Sequence, residues 1–475
     1  MDNSSIKKLN ILLVNPSYAA AYGKMNFPVQ IHLGLAYLAA VMEREKHNVE
    51  IIDLDAEGLG PDDFVRIIKN KRYDIAGFTV TTPTFFSGVE LAELVKKNSP
   101  DTLVVFGGIH ATIRPQEIMK LDCVDIGVRG EGEMTFKEIG ASVGNGRDFS
   151  GINGLLYKRN GEIIETAARP PVDDLDTIPF PARHLFKDKR YTYPDALYPE
   201  TVPIFTSRGC PGRCTFCNTF QVFTRAFRAR SPENVVDEIE SLVKEKNIKE
   251  IHIWDDNFTT IKRRVFEIRD EIIRRKLKVK FAFPNGIRVD CLNEKILEAL
   301  KEMGTYSIAV GVESGSQEVL DRAHKGIKLR RVEETIALAK NIGLETWAFF
   351  VLGLPGESVD TIKKTISFAR KLDPDIAKFH LLKPYPGTEV YDYLSKKNFI
   401  LTEDYNQFGM HTPPIHRIES LTPSDLLKWQ KKAYQSFYLN PRKIVKQLFR
   451  VKTLNRFWLN VQAGKGLVKL TLSKG

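Results

Sequence analysis

Apolar and polar positions change period repeatedly along this chain. Short runs of Val, Ile, Leu and Phe alternate with longer segments in which apolar residues recur every three or four positions. The runs have the signature of parallel strands buried on both faces, and the segments that of amphipathic helices packed over them. Between residues 10 and 145 the pattern predicts strands at 10–14, 49–54, 74–80, 102–107 and 124–128. Helices are expected among them at 34–46, 61–71, 87–98, 115–121 and 133–143. This βαβ rhythm specifies an α/β fold, a doubly wound parallel sheet of Rossmann-like type.

Strict alternation resumes over 151–168 around Arg159-Asn160-Gly161, which predicts a β-hairpin, and the proline-rich, acidic stretch 170–186 follows as a linker. A second series then begins, with strands at 202–206, 250–254, 279–283, 307–312, 347–352 and 377–382. Its helices are expected at 232–246, 261–276, 293–303, 330–342 and 358–371. Six βα units are the content of a partial (β/α)6 barrel. The expected domains are residues 8–147, a hairpin and linker over 148–198, the partial barrel over 199–415, and a helical C-terminal appendage over 416–475. In both fold types ligands sit at the C-terminal ends of the strands, where several loops converge.

At 475 residues the chain exceeds what a single hydrophobic core serves. The opening MDNSSIKKLN runs directly into ILLVNP, too short for a secretory leader, and no apolar run approaches a membrane span, so a cytoplasmic location is expected. Of five cysteines, three fall within residues 210–217, a distribution that suits a metal site in a reducing compartment rather than a disulfide framework. The net charge of +11 is uneven: residues 426–475 hold twelve Lys or Arg and no acidic residue. Trp429, Tyr434, Phe437, Tyr438, Phe449, Phe457 and Trp458 are interleaved with them. That composition fits peripheral contact with an anionic membrane surface, or a basic face packed on the barrel. No nucleic-acid module accompanies it.

The segment TSRGCPGRCTFCN follows the first barrel strand and places Cys210, Cys214 and Cys217 in the spacing C-x3-C-x2-C. Three such thiolates bind three irons of a [4Fe-4S] cluster and leave the fourth iron open to an amino-acid-like chelate. A closed zinc site needs a fourth Cys or His close by, yet the next are His252 and Cys291. Phe216, ahead of the last cysteine, is placed to shield the cluster from water. On these residues the chain resembles the radical S-adenosylmethionine (SAM) superfamily, whose members share this motif and a partial barrel. The resemblance implies that SAM binds the open iron.

Asp255, Asp256 and Asn257 end the second barrel strand, Arg288 the third, and Glu313 with Ser314 the fourth. Glu313 can accept hydrogen bonds from ribose hydroxyls or an ammonium group, or pair with Arg288. The Asp255–Asn257 loop can equally lead into a helix N-capped by Thr259 or Thr260. The resemblance implies SAM contacts at Phe216, Asp255, Asp256, Asn257, Arg288, Glu313 and Ser314. GLPGES and KPYPGTE close the last two strands with glycines that admit a nucleoside or simply make turns.

In the first domain a dinucleotide site would show G-x-G-x-x-G where the chain reads NPSYAAAYGK. Small residues appear at later strand ends instead, namely Thr81, Thr82, Gly107, Gly108, Gly130 and Gly132, leaving room for a large ligand along the sheet edge. Together with NPS, GGIHAT and RGEGE they resemble the cobalamin-binding domain found in one branch of the same superfamily. The resemblance implies cobalamin contacts at Asn15, Ser17, Thr81, Thr82, Gly107, Gly108, His110, Gly130, Glu131 and Gly132. The D-x-H-x-x-G loop of other cobalamin proteins is missing. The lower face of the cobalt is therefore expected to meet Asn15–Tyr18, Thr81, Thr82 or water, with His110 on the nucleotide tail or backbone. Cys123 and Cys291 read as isolated buried thiols.

Both domains together imply a radical methyltransferase. The cluster would cleave SAM, the 5′-deoxyadenosyl radical would take hydrogen from an unactivated carbon of a small-molecule or lipid-like substrate, and methylcobalamin would deliver the methyl group. An external donor such as flavodoxin or ferredoxin would supply the electron. Two alternatives stand beside this reading: an oxidative cyclase similar to the anaerobic magnesium-protoporphyrin monomethyl ester cyclase, and a non-catalytic cobalamin or iron–sulfur sensor. No side chain is singled out as acid, base or nucleophile.

Overall fold

The computed structural model describes residues 7–22, 29–186, 191–193, 196–440 and 443. Packing divides the chain into two units. One comprises Met1–Thr192 with Asn218–Thr224 and Asp404–Thr412, and the other Tyr193–Cys217, Arg225–Glu403 and Pro413–Gly475.

The first unit is built on a sheet of β1 (Asn10–Asn15), β2 (Asn48–Asp53), β3 (Ile75–Thr79), β4 (Leu103–Gly107), β5 (Ile126–Val128), β6 (Leu155–Arg159) and β7 (Glu162–Glu165). Their order is β2-β1-β3-β4-β5-β6-β7; the first five are parallel, and β6–β7 form an antiparallel hairpin that extends the sheet. Side chains alternate across it. Leu12, Val14, Ala76 and Phe78 pack in one apolar cluster with Phe64, Ile68, Leu91 and Ala92 of helices Pro61–Asn70 and Phe85–Asn98. On the opposite face Gly77 closes against Leu13 and Phe136, the latter from helix Glu133–Gly144. Burial on both faces explains the unbroken apolar runs. The chain reverses its direction of travel between β1 and β3, which makes this the topological switch point. The stretch 170–186 lies along the same unit: Ala182 N–H donates to Ala36 O at 3.0 Å, and Leu175 and Ile178 are buried.

In the second unit β8 (Thr201–Ile204) leads into a small antiparallel ribbon, β9 (Ser207–Arg208) with β10 (Arg228–Ala229). The main sheet continues with β11 (Glu250–Ile253), β12 (Lys280–Ile287), β13 (Thr305–Glu313), β14 (Glu345–Leu352) and β15 (Ile376–Leu381), all parallel and in sequence order from β8 to β15. Ile251, Phe281, Ile308, Phe350 and Phe379 form the core beneath helices at 232–246, 262–274, 294–302, 329–341 and 359–372. This is the expected partial barrel. One cap differs from expectation: Ile261 precedes helix Lys262–Arg274, and Thr260 instead donates its hydroxyl to Asn257 O.

Helix Pro423–Tyr438 closes the barrel edge, its Tyr434 and Tyr438 hydroxyls accepting the N–H groups of Phe379 and Ala377. Of the basic, aromatic tail, residues 441–442 and 444–475 lie outside the described residues. Among the described residues no helix is long and apolar enough to cross a membrane.

Candidate active site

The cysteine loop leaves the barrel through Thr206 and Ser207, and Asp255 at the end of β11 grips its root. Thr206 N–H donates to Asp255 Oδ1 at 2.6 Å, and the Thr206 and Ser207 hydroxyls donate to Oδ2. Gly209 N–H donates to Asp256 at 3.2 Å. Burial, then the adjacent Asp255 charge, pushes the Asp256 carboxyl up to about 6. Beyond this root Cys210, Cys214 and Cys217 are half-buried and unbridged. Thr215 fixes the loop from both sides, its N–H donating to Ala323 O and its O accepting from Val390 N–H, each at 3.1 Å. Phe216 packs into the apolar cluster that contains Ala323, Val390 and Leu394.

Cations stand beside these thiols. A Cβ on Gly212 would lie 2.9 Å from Arg288 Nη1 and 3.3 Å from Cys210 Sγ, so the guanidinium closes over the loop where glycine leaves room. Burial raises the Cys210 and Cys214 thiols; Arg288 opposes this at Cys210, and Lys325 with Arg288 oppose it at Cys214. Lys325 Nζ donates to Glu313 Oε1 at 2.6 Å, while Arg288 pairs with Asp290 at 3.0 Å. The alternative pairing of Glu313 with Arg288 is therefore corrected: the carboxylate's partner is Lys325, presented after the short helix Gln317–Arg322, while Arg288 is taken by Asp290.

Two expected SAM contacts are engaged within the protein. Asn257, fully buried, donates to Thr260 Oγ1 at 2.8 Å and to Cys291 Sγ at 3.3 Å and accepts from Arg288 N–H. Ser314, also fully buried, bonds Thr365 on helix 359–372. Cys123 is buried, whereas Cys291 is partly exposed. Sequence reading misses Thr206, Ser207 and Lys325. The adjacent hydroxyls at a strand end, facing an acidic strand end, were the available signal for the first two.

In the first unit the two loops of the switch point are held differently. Asn15 Nδ2 donates to Asp53 Oδ2 at 3.0 Å, and Ser17 Oγ to Asp55 at 2.5 Å, tying the loop after β1 to the end of β2. Burial pushes Asp53 up to about 6. After β3, Thr81 reaches the Tyr18 hydroxyl at 3.4 Å, while Thr82 bonds His110 Nδ1 at 3.2 Å. His110 is fully buried, and burial, then Arg114, lowers it to about 3, so the ring is neutral. Gly108 has φ +94, and a Cβ would meet Val80 O at 2.9 Å. Gly130, with φ +72, has nothing within 4 Å of a Cβ, and Gly107 nothing nearer than 3.9 Å. Glu131 accepts Val172 N–H at 3.1 Å, and Gly132 begins helix 133–144. Asn15, Ser17, Thr81, Gly107, Gly108 and Gly130 thus lie at or just beyond the ends of β1, β3, β4 and β5, whereas Thr82 and His110 turn inward.

Comparison with known proteins agrees with both halves. A model of the radical SAM superfamily matches residues 204–369, and one of the B12 binding domain matches residues 28–140. The chain is 37% identical to an uncharacterised methyltransferase of Pyrococcus horikoshii, over 94% of this chain and 95% of the relative. The chain belongs to the cobalamin-dependent radical SAM enzymes. An anaerobic magnesium-protoporphyrin IX monomethyl ester cyclase of Rubrivivax gelatinosus is 29% identical over 91% of this chain and 78% of the relative. The structure of the radical SAM methyltransferase TsrM from Kitasatospora setae, with cobalamin and a cluster bound, superposes with TM-score 0.71 at 18% identity, covering 92% and 90% of the two chains.

The cofactors of a cobalamin-dependent radical SAM enzyme are a [4Fe-4S] cluster, SAM and cobalamin, and the residues present fit them. Three unbridged thiols with cations alongside suit an anionic cluster. Among the described residues no three His, Cys, Asp or Glu side chains converge as ligands of a single ion. The open space at Gly107 and Gly130 on the sheet edge suits a large planar ligand.

Proposed function

We propose that this cobalamin-dependent radical SAM enzyme methylates an unactivated carbon of a small-molecule substrate, with Cys210, Cys214 and Cys217 as the cluster ligands. The carrying observation is the loop itself: three unbridged cysteines rooted on Asp255 with Arg288 and Lys325 beside them. The methyltransferase from Pyrococcus horikoshii supports methyl transfer over ring closure, being 37% identical against 29% for the cyclase. When bound, the cluster and SAM supply an electron and a carbon radical, and cobalamin supplies the methyl group.

The chain's own residues act around these groups. Asp255 holds the root of the loop that carries the three cysteines. Arg288 and Lys325 offset the negative charge gathered there. Asp256, at the loop root, and Glu313, oriented by Lys325, are acceptors for the ammonium and ribose of SAM. Asn257 and Ser314 position the loops rather than touch SAM. Asn15, Ser17, Thr81, Gly107, Gly108 and Gly130 seat cobalamin on the first sheet. An external one-electron donor is required.

Anaerobic reconstituted protein, given dithionite and methyl-labelled SAM, is expected to form 5′-deoxyadenosine and a labelled methylated product from a competent substrate. Cys214→Ala should abolish both. 5′-Deoxyadenosine with an unlabelled, oxidised product would establish the cyclase instead, and its absence from wild-type reactions would leave only the sensor.

A further inference from the structure

Residues 404–412 pack with the first unit although they follow the barrel in sequence. Tyr405 is the centre of this contact. Its ring stands edge-on to His110 at 4.9 Å and to Phe85 at 5.7 Å and stacks on Phe86 at 5.7 Å. Its hydroxyl donates to Glu117 Oε2 at 3.0 Å, across 288 positions of sequence. Phe408 is buried behind it. Four residues on, Gly409 lies against the turn Ala19–Tyr22, where a Cβ would come within 2.5 Å of Ala21 O, and His411 meets the Tyr22 ring at 5.6 Å.

One segment therefore touches both loops of the switch point: the turn after β1 that follows Asn15 and Ser17, and the turn Thr82–Thr84 after β3 that follows Thr81. These loops part where the strand order reverses, which is where a ligand enters such a sheet. Their direct tie, Thr81 to Tyr18, is long at 3.4 Å. Tyr405 also covers His110, the partner of Thr82.

We infer that residues 404–412 are a strap that holds the two loops at the spacing cobalamin needs and so sets how tightly the chain retains it. The inference rests on assigning this sheet edge to cobalamin. Loops already in their bound arrangement lose less conformational freedom on binding, so loosening the strap weakens affinity without removing a contact to the ligand. Tyr405 and Gly409 are positioning residues in this account. No motif marks them, because their role lies in a contact between distant parts of the chain.

The test uses the full chain and hydroxocobalamin, with retention read by absorbance after gel filtration and by titration. Gly409→Val and Tyr405→Ala are expected to raise the cobalamin dissociation constant about ten-fold, and Tyr405→Phe, which keeps the ring contacts, to stay within about three-fold of wild type. Iron bound per chain after cluster reconstitution should be unchanged in all three. Unchanged cobalamin affinity in both Gly409→Val and Tyr405→Ala would overturn the strap. So would a parallel loss of cobalamin, iron and melting temperature, which would mean that the segment supports the whole chain. Failure of the wild-type protein to bind hydroxocobalamin would instead overturn the cobalamin assignment on which the strap rests.

Discussion

Glu313 ends β13 in the left-handed backbone region, φ +64, a conformation that a non-glycine residue holds only when its surroundings compel it. A register shift between Gly311 and Glu313 falls at this point of the strand; the Glu313 side chain pairs with Lys325, and both side chains are about one-tenth exposed, 9% and 10%. Removing one member of such a pair leaves the other charge buried and unmatched. Lys325→Met is therefore expected to destabilise the second unit by about 3 kcal/mol in chemical denaturation, with Glu313→Gln added on top recovering much of the loss. Glu357 poses a different problem. Its Oε2 accepts the N–H groups of Gly353 at 2.6 Å and Leu354 at 3.2 Å, yet burial pushes its pKa up to about 8. The folded state therefore holds this proton more tightly than the unfolded chain, whose carboxyl titrates near the ordinary glutamate value of 4.5. Stability falls as pH rises from the unfolded value through about 8, because over that interval the folded carboxyl must stay protonated or carry a buried charge. Glu357→Gln keeps an acceptor for both N–H groups and carries no charge. It should flatten that pH dependence and raise stability at pH 8 by about 1–3 kcal/mol, as read by denaturant midpoints across pH.

Strands and helices were legible because β1–β5 of the first sheet and all strands of the barrel sheet are parallel, so that apolar runs such as ILLVN alternate with periodic helical segments and leave little ambiguity. The cysteine loop was legible from spacing alone. What stayed hidden depends on pairings across the chain. Asp255 reads as a polar group at a barrel mouth, and only the fold shows Thr206 and Ser207 taking both of its oxygens, from 49 and 48 positions away. Lys325 carries no motif, and the hairpin over 151–168 gave no sign that it would extend the first sheet. The Asp255 clasp makes a prediction about the loop as an element. Asp255→Ala frees its root, and we expect less than about half the wild-type iron per chain after reconstitution while the barrel is destabilised by only about 1–3 kcal/mol. Asp255→Asn, which keeps one acceptor, should recover part of the iron. Equal iron in Asp255→Ala and wild type would show that the loop orders itself around the cluster without the clasp.

The two units have separate apolar cores, one around Leu12, Val14, Phe78 and Phe106 and the other around Ile251, Phe281, Ile308, Phe350 and Phe379. Each places its own cofactor residues at its own strand ends: Cys210, Cys214 and Cys217 belong to the second unit, and Asn15, Thr81 and Gly130 to the first. A core that forms without the other unit's ligand can also load its own ligand, so cluster assembly should not wait for cobalamin. Protein reconstituted with iron and sulfide and kept free of cobalamin is expected to cleave SAM to 5′-deoxyadenosine under reducing conditions while transferring no labelled methyl group. Adding hydroxocobalamin should restore transfer and leave the iron content unchanged. If cobalamin-free protein with a full complement of iron formed no 5′-deoxyadenosine, the second unit would need the loaded first unit to act, and the division of labour drawn from the two cores would be wrong.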